Sequence, residues 1–266
     1  MAIIINPISP VAFSILGIPV RWYALAYIAG FVIGYWLFRK MLASPKSPVE
    51  MNKKQLDDLL TAVILGTIIG GRLGYVLVYN PLFFIIHPLE IFAVWHGGMS
   101  FHGGLAGVLI AVWLFARKNK IRMWSILDMM SVVTPIGFFF GRIANFINIE
   151  VMGRPTDVPW AVVFNGETTI PRHPSPIYEA FGEGIFLFLL MSALYRWTNL
   201  RNYPGALGCI MVMSYAIIRV VCEQFRMPDA QIGFLTSWGL TMGMLLSAIM
   251  FIAGLIIFLF ALRKKQ

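Results

Sequence analysis

Apolar residues gather into seven long blocks along this chain of 266 residues, at roughly 20–38, 58–79, 98–116, 124–144, 177–195, 205–222 and 235–262. An α-helix needs about 20 apolar residues to cross the hydrocarbon of a bilayer, and each block is near that length. The pattern predicts an all-α, polytopic membrane protein with about seven transmembrane helices, forming one integral-membrane domain over 1–266. The interval 80–97 breaks the pattern with His87 and Pro88 and reads as a loop with an interfacial piece. Gly97, Gly98, Gly103, Gly104 and Gly107 crowd the third block, which predicts close approach of helix backbones. No internal repeat is evident, so an inverted-repeat transporter is disfavoured.

Composition agrees, with 59% hydrophobic and 12% charged residues, against about a quarter charged in soluble domains. The net charge of +9 would suit a nucleic-acid partner if it were concentrated, but it is not. Basic residues cluster in 39–57, 117–123, between the fifth and sixth blocks, and at Arg263, Lys264 and Lys265. The segments 1–19, 80–97, 145–176 and 223–234 contain no lysine. Cytoplasmic loops carry the excess of Lys and Arg, so the N-terminus is expected outside, the C-terminus in the cytoplasm, and 145–176 on the periplasmic side. Residues 1–19 lack a basic stretch and are broken by Pro7, Pro10 and Pro19, so no cleavable signal is expected. Cys209 and Cys222 share one apolar block and read as packing residues.

Charge placement then points to chemistry. All eight lysines lie on the expected cytoplasmic side, whereas Arg21, Arg72, Arg142, Arg154, Arg172, Arg219 and Arg226 lie in blocks or beyond their other ends. A consistent choice of arginine suits bidentate phosphate binding or buried ion pairing. The stretch Gly141–Arg154 follows an apolar run and holds Arg142, Asn145, Asn148, Glu150 and Arg154. Polar groups at a membrane boundary are costly and mark sites. Tyr215, Arg219 and Glu223 recur at intervals of four, making a polar stripe on one helix face, with Arg219–Glu223 a natural pair. His102, between Phe101 and Gly103, is an imidazole open to a ligand and able to exchange a proton near neutral pH. Tyr23 follows Trp22 at the start of the first block, where an interfacial anchor is the simplest reading. No Cys/His/Asp cluster has metal-ligand spacing, and no P-loop or nucleophile-elbow pattern is present. Composition and spacing alone divide evenly between an enzyme and a transporter of an anionic lipid or metabolite. A purely structural scaffold would leave the polar stripe unexplained.

The segment Gly141-Arg142-x-Ala144-Asn145-Phe146-Ile147-Asn148-x-Glu150-x-x-Gly153 resembles the signature of the bacterial prolipoprotein diacylglyceryl transferases. Arg21-Trp22-Tyr23, Gly70–Tyr75, Gly97–Gly104, His173–Pro176 and Arg226-x-Pro228-Asp229 resemble further parts of that family, in its order and over nearly the whole chain. Ile149, Met152 and Met244 depart from it, standing where Gly, Trp and Gln are common. The resemblance implies an inner-membrane enzyme that moves the diacylglyceryl group of phosphatidylglycerol onto the lipobox cysteine of a prolipoprotein. It implies catalytic roles for His102, Arg142, Arg219, Tyr23 and Glu150, and substrate binding by Arg142, Asn145, Gly153, Tyr215 and Arg219. The implied partners are phosphatidylglycerol, prolipoprotein signal peptides and membrane lipid, with no nucleic acid, cofactor or metal. The substrate brings its own nucleophile, and the thiol proton falls to His102 or Glu150.

Overall fold

In the computed structural model, which describes residues 2–228, 233–237 and 239–263, seven helices are long and apolar enough to cross a membrane. These are α1 (Trp22–Leu42), α2 (Lys53–Val78), α4 (Phe101–Asn119), α5 (Met123–Ile147), the composite helix Ser175–Trp197, α8 (Ala206–Glu223) and α9 (Met242–Ala261). The short α3 (Pro81–Ile86) and two 3-10 turns fill the interval read as an interfacial loop. The composite helix comprises α6 (Ser175–Glu179), a π-helical segment at Ala180–Phe186, and α7 (Leu187–Trp197). Among the described residues, four short strands, absent from an all-α reading, lie outside the spans, three before α1 and one between α5 and the composite helix. They are β1 (Ile3–Ile5), paired in parallel with β4 (Val162–Phe164), and the hairpin of β2 (Val11–Ile15) and β3 (Ile18–Arg21).

Two compact units emerge, one of residues 41–127 and the other of 1–40 with 128–266. In the first, Gly66, Gly70 and Gly74 of α2 face Gly103 and Gly107 of α4. A Cβ on Gly66 would stand 2.7 Å from the Gly107 carbonyl, and one on Gly74 2.6 Å from the Gly103 Cα. The three α2 glycines, spaced by four, form a small-residue seam that admits a close backbone crossing. The start of α2 is fixed by a reciprocal capping box between Asn52 and Gln55, which satisfies two orphan donors. Buried Arg72 reaches the carbonyls of Glu90, Ile91, Ala93, Gly97 and Gly98. Irregular backbone at a membrane must be satisfied by protein, and one guanidinium does this for 90–98.

In the second unit, α8 begins at Gly205, whose N–H, like that of Gly208, donates to the carboxylate of Asp128 on α5, at 2.7 and 2.8 Å. A carboxylate at a helix N-terminus satisfies orphan donors and complements the helix dipole. The last span begins at 242, seven residues after the start of its apolar block. Thr241 caps α9 by accepting the Met244 N–H at 3.2 Å, and Leu235 pairs back to Leu240 in the preceding turn. Cys209 and Cys222 are buried free thiols of α8.

Candidate active site

Arg142 and Asn145 occupy the last two turns of α5, three residues apart and therefore on one face. Beyond Ile147 the chain turns sharply. Ile149 and Val151 both take left-handed backbone, with φ of 57° and 51°, which is rare for β-branched residues. The turn brings Glu150 back against the helix, and its N–H donates to the Asn145 carbonyl at 2.9 Å. Glu150 Oε2 accepts the Tyr23 hydroxyl at 2.8 Å and Asn145 Nδ2 at 3.1 Å. Asn145 Nδ2 also contacts the Tyr23 oxygen, so phenol, amide and carboxylate form a closed triangle. Asn148 Nδ2 reaches the second Glu150 oxygen at 3.4 Å.

One turn back along α5, Arg142 enters a larger charged cluster. Its Nε and Nη2 donate to Glu183 Oε2 at 2.9 and 2.8 Å, and its Nη1 lies 2.9 Å from Glu179 Oε2. The other Glu179 oxygen accepts Arg219 Nη1 at 2.9 Å and lies 3.5 Å from Arg226 Nη1. Arg219 Nη2 pairs with Glu223 one turn on, as the spacing in the stripe predicted. Glu223 Oε2 accepts the Thr241 hydroxyl at 3.0 Å, so the cap of α9 is tied to the same network. Gly243 makes room, since a Cβ there would come within 2.8 Å of the Glu223 carboxyl carbon. Tyr215, one turn before Arg219, packs its ring on Phe138 at 5.3 Å and lies within electrostatic reach of Arg142, Arg219, Glu179 and Glu183.

Sequence reasoning missed Glu179 and Glu183. The signal was present, because both are ionisable residues inside the apolar block 177–195, spaced by four, and such residues mark sites. These two carboxylates are the partners that fix Arg142 and Arg219.

Other residues of these segments hold the fold around the site. Gly153 donates its N–H to the His173 carbonyl at 2.9 Å and bridges to Arg226. A Cβ on it would lie 2.6 Å from the Phe225 carbonyl, so glycine is needed there for chain crossing. Arg154 donates to the carbonyls of Arg226 and Glu223, and Arg172 to that of Gly153. With Arg72, these arginines satisfy backbone. Burial lowers the pKa of His173 from the ordinary 6.5, and its Nδ1 lies 3.1 Å from the Tyr178 hydroxyl. Tyr23, Arg142, Asn145, Glu150, Gly153, Tyr215 and Arg219 all belong to the unit of 1–40 and 128–266. His102 belongs to the other unit, exposed in the first turn of α4 behind the Ser100 cap, with its ring edge-on to Phe101 at 5.6 Å.

Seven apolar spans, with charged chemistry gathered in one arginine–glutamate cluster and a neighbouring phenol–amide–carboxylate triangle, define a polytopic membrane protein of an enzyme-like kind. The family model for prolipoprotein diacylglyceryl transferase matches residues 10–260, and the chain belongs to that family. It is 49% identical over 259 residues to the phosphatidylglycerol–prolipoprotein diacylglyceryl transferase of Rhodospirillum rubrum, covering 97% of this chain and 94% of the relative. The protein of the same name from Methylocella silvestris is 50% identical over 262 residues, with 97% and 95% covered. That from Nitrobacter hamburgensis is 51% identical over 254 residues, with 93% and 86% covered.

Proposed function

We propose that this chain transfers the diacylglyceryl group of phosphatidylglycerol to the lipobox cysteine of prolipoproteins, the first step of lipoprotein maturation, in the bacterial inner membrane. The cysteine sulfur attacks the glycerol carbon that bears the phosphate ester. A carbon–sulfur bond forms, the carbon–oxygen bond breaks, and glycerol phosphate leaves with the bonding electrons while the thiol proton passes to a base.

The observation that carries this reading is the paired arrangement of Arg142 and Arg219 on the single buried carboxylate of Glu179. Preoriented donors aimed at developing charge are the strongest means of lowering such a barrier, and a guanidinium fork matches phosphate oxygens as an ammonium does not. In this reading Arg142 and Arg219 meet the departing phosphate. Asn145, Gly153 and Tyr215 shape the lipid site around them, and Tyr23 and Glu150 act as a hydrogen-bonded unit beside it. A free thiol ionises near pH 8.5, so the attack at neutral pH needs a base, and His102 takes that role.

Purified protein with phosphatidylglycerol and a lipobox peptide in detergent should release glycerol phosphate and yield a thioether-linked peptide. If both substrates stay intact while lipid moves between leaflets of a reconstituted vesicle, the chain is a transporter instead. In the same assay His102→Asn should cut turnover by about 10²–10⁴ near neutral pH, with partial recovery as rising pH ionises the thiol unaided. An unaltered pH–rate profile in the folded variant would move the proton transfer to Glu150.

A further inference from the structure

We propose that Glu183 is a positioning residue for the transfer: it fixes the plane of the Arg142 guanidinium and cancels the net charge of the cluster, so that the arginines favour the departing phosphate over the intact lipid. The inference rests on the transferase reading above. Three guanidiniums, of Arg142, Arg219 and Arg226, meet three carboxylates, of Glu179, Glu183 and Glu223. Among the described residues the formal charges therefore sum to zero. Exposure is nevertheless one-sided. The Arg142, Arg219 and Arg226 side chains are 20%, 12% and 13% exposed, whereas those of Glu179 and Glu183 are fully buried and Glu223 is 4% exposed. An approaching anion thus meets oriented N–H donors in a cluster with no net charge.

That arrangement separates ground state from transition state. An intact phosphodiester carries one negative charge and gains little from a neutral cluster at long range. The departing phosphate gains a second charge at short range, where fixed donors count most. Glu183 serves both requirements, since one of its oxygens takes two nitrogens of Arg142. Its other oxygen accepts no hydrogen bond from the described residues and lies within ion-pair reach of Arg219 Nη1, at 3.7 Å.

Local structure holds the carboxylate in place. Glu183 stands in the π-helical turn Ala180–Phe186, a geometry frequent at functional sites. The glycines on either side seat this turn against the two helices that carry the arginines. A Cβ on Gly182 would meet Ile218 of α8 at 2.6 Å, and one on Gly184 would meet the Phe139 Cα of α5 at 2.9 Å.

The test compares wild type, Glu183→Gln and Glu183→Asp in the detergent transfer assay, with phosphatidylglycerol varied as a surface fraction and glycerol phosphate as product inhibitor. In Glu183→Gln the cluster gains one net positive charge. KM for phosphatidylglycerol and the inhibition constant for glycerol phosphate should both fall several-fold, while kcat drops by about 10²-fold as the guanidinium loses its alignment. In Glu183→Asp the charge is kept but the shorter arm no longer spans both nitrogens, so kcat should fall with KM unchanged. If Glu183→Gln does not fold, the Glu183→Asp split alone decides. Wild-type kcat in either folded variant, or a KM that rises in Glu183→Gln, would overturn the role of Glu183. Absence of transfer by the wild type would instead overturn the transferase reading.

Discussion

Arg142 places three nitrogens on two carboxylates of one span, which a lysine ammonium cannot copy. Lysine would keep the charge, so a purely Coulombic role predicts a small effect. Loss of a preorganised donor aimed at developing charge costs about 10²–10³ in turnover. Arg142→Lys should therefore insert normally and lose most of its kcat, with KM affected less, in steady-state transfer to a lipobox peptide. Wild-type turnover would leave Arg142 only a structural part. Ile149 offers a different test. It stands where relatives of the resembled family commonly carry glycine, and its φ of 57° costs an L-residue roughly 1–2 kcal/mol. Helix and strand positions ordinarily favour alanine over glycine by about 0.5–1 kcal/mol. At 149 the order should reverse, with Ile149→Gly melting above Ile149→Ala in detergent. Both variants lose the same side chain, so the comparison isolates the backbone. Melting in the ordinary order would show that the turn before Glu150 is unstrained. Residue identity was most legible where polar side chains interrupt apolar sequence locally, as at Arg142, Asn145 and Glu150. It was least legible where the partner comes from another element, as for Arg72 and Arg154, whose acceptors are backbone carbonyls that no side-chain pattern announces.

At the scale of elements, hydropathy located all seven spans, because length and apolarity are the whole requirement for crossing. It erred at ends and in register. Caps displaced the ends: Thr241 starts α9 late, and Asn52 starts α2 before its apolar block. The π-helical turn at 180–186 shifts the helix face presented beyond it, and a 3.6-residue period cannot foresee that. The short strands escaped notice because β1 is three residues long and pairs with a strand more than 150 positions away. Of the glycines of block three, Gly103 and Gly107 make the expected close backbone contact, whereas Gly97 faces open space and Gly98 the Tyr75 ring; the sequence did not name the partner of the contact. That partner is the Gly66–Gly70–Gly74 seam. Gly70 is the central residue of the seam, and its Cβ would stand 2.7 Å from the Gly107 Cα. Gly70→Val should force α2 and α4 apart, lowering the melting temperature and the yield of monodisperse protein far more than Gly141→Val, where nothing lies within 4 Å. Equal behaviour of the two would mean that the seam tolerates separation.

At the scale of the whole molecule the open question is orientation, which rests on charge alone. Lysine is confined to 39–57, 117–123 and the C-terminal end, Arg196 and Arg201 stand between the fifth and sixth spans, and these basic segments alternate along the chain with 1–19, 80–97, 145–176 and 223–234, which hold no lysine. Translocation of Lys-rich and Arg-rich loops is disfavoured, so we propose that 1–19, 80–97, 145–176 and 223–234 lie outside. On that proposal, seven spans would put the two termini on opposite sides, with the C-terminus in the cytoplasm. The arginines of 145–176 do not contradict this, because Arg154 and Arg172 are occupied by backbone carbonyls. Function makes the same demand. Under the proposed transfer, a lipobox cysteine presented on the outer side would have to meet the segment carrying Glu150 on that side. Thr169 is a suitable reporter, being exposed in 145–176, whereas neighbouring Thr168 is bonded to the Phe164 N–H. Glu50, exposed in the lysine-rich 39–57, serves as the opposite reporter. In a Cys209→Ser, Cys222→Ser background, Thr169→Cys should react with a membrane-impermeant maleimide in intact spheroplasts, and Glu50→Cys only after lysis. The reverse pattern would turn the protein over in the membrane and place the cluster's end of α5 on the side away from the emerging substrate.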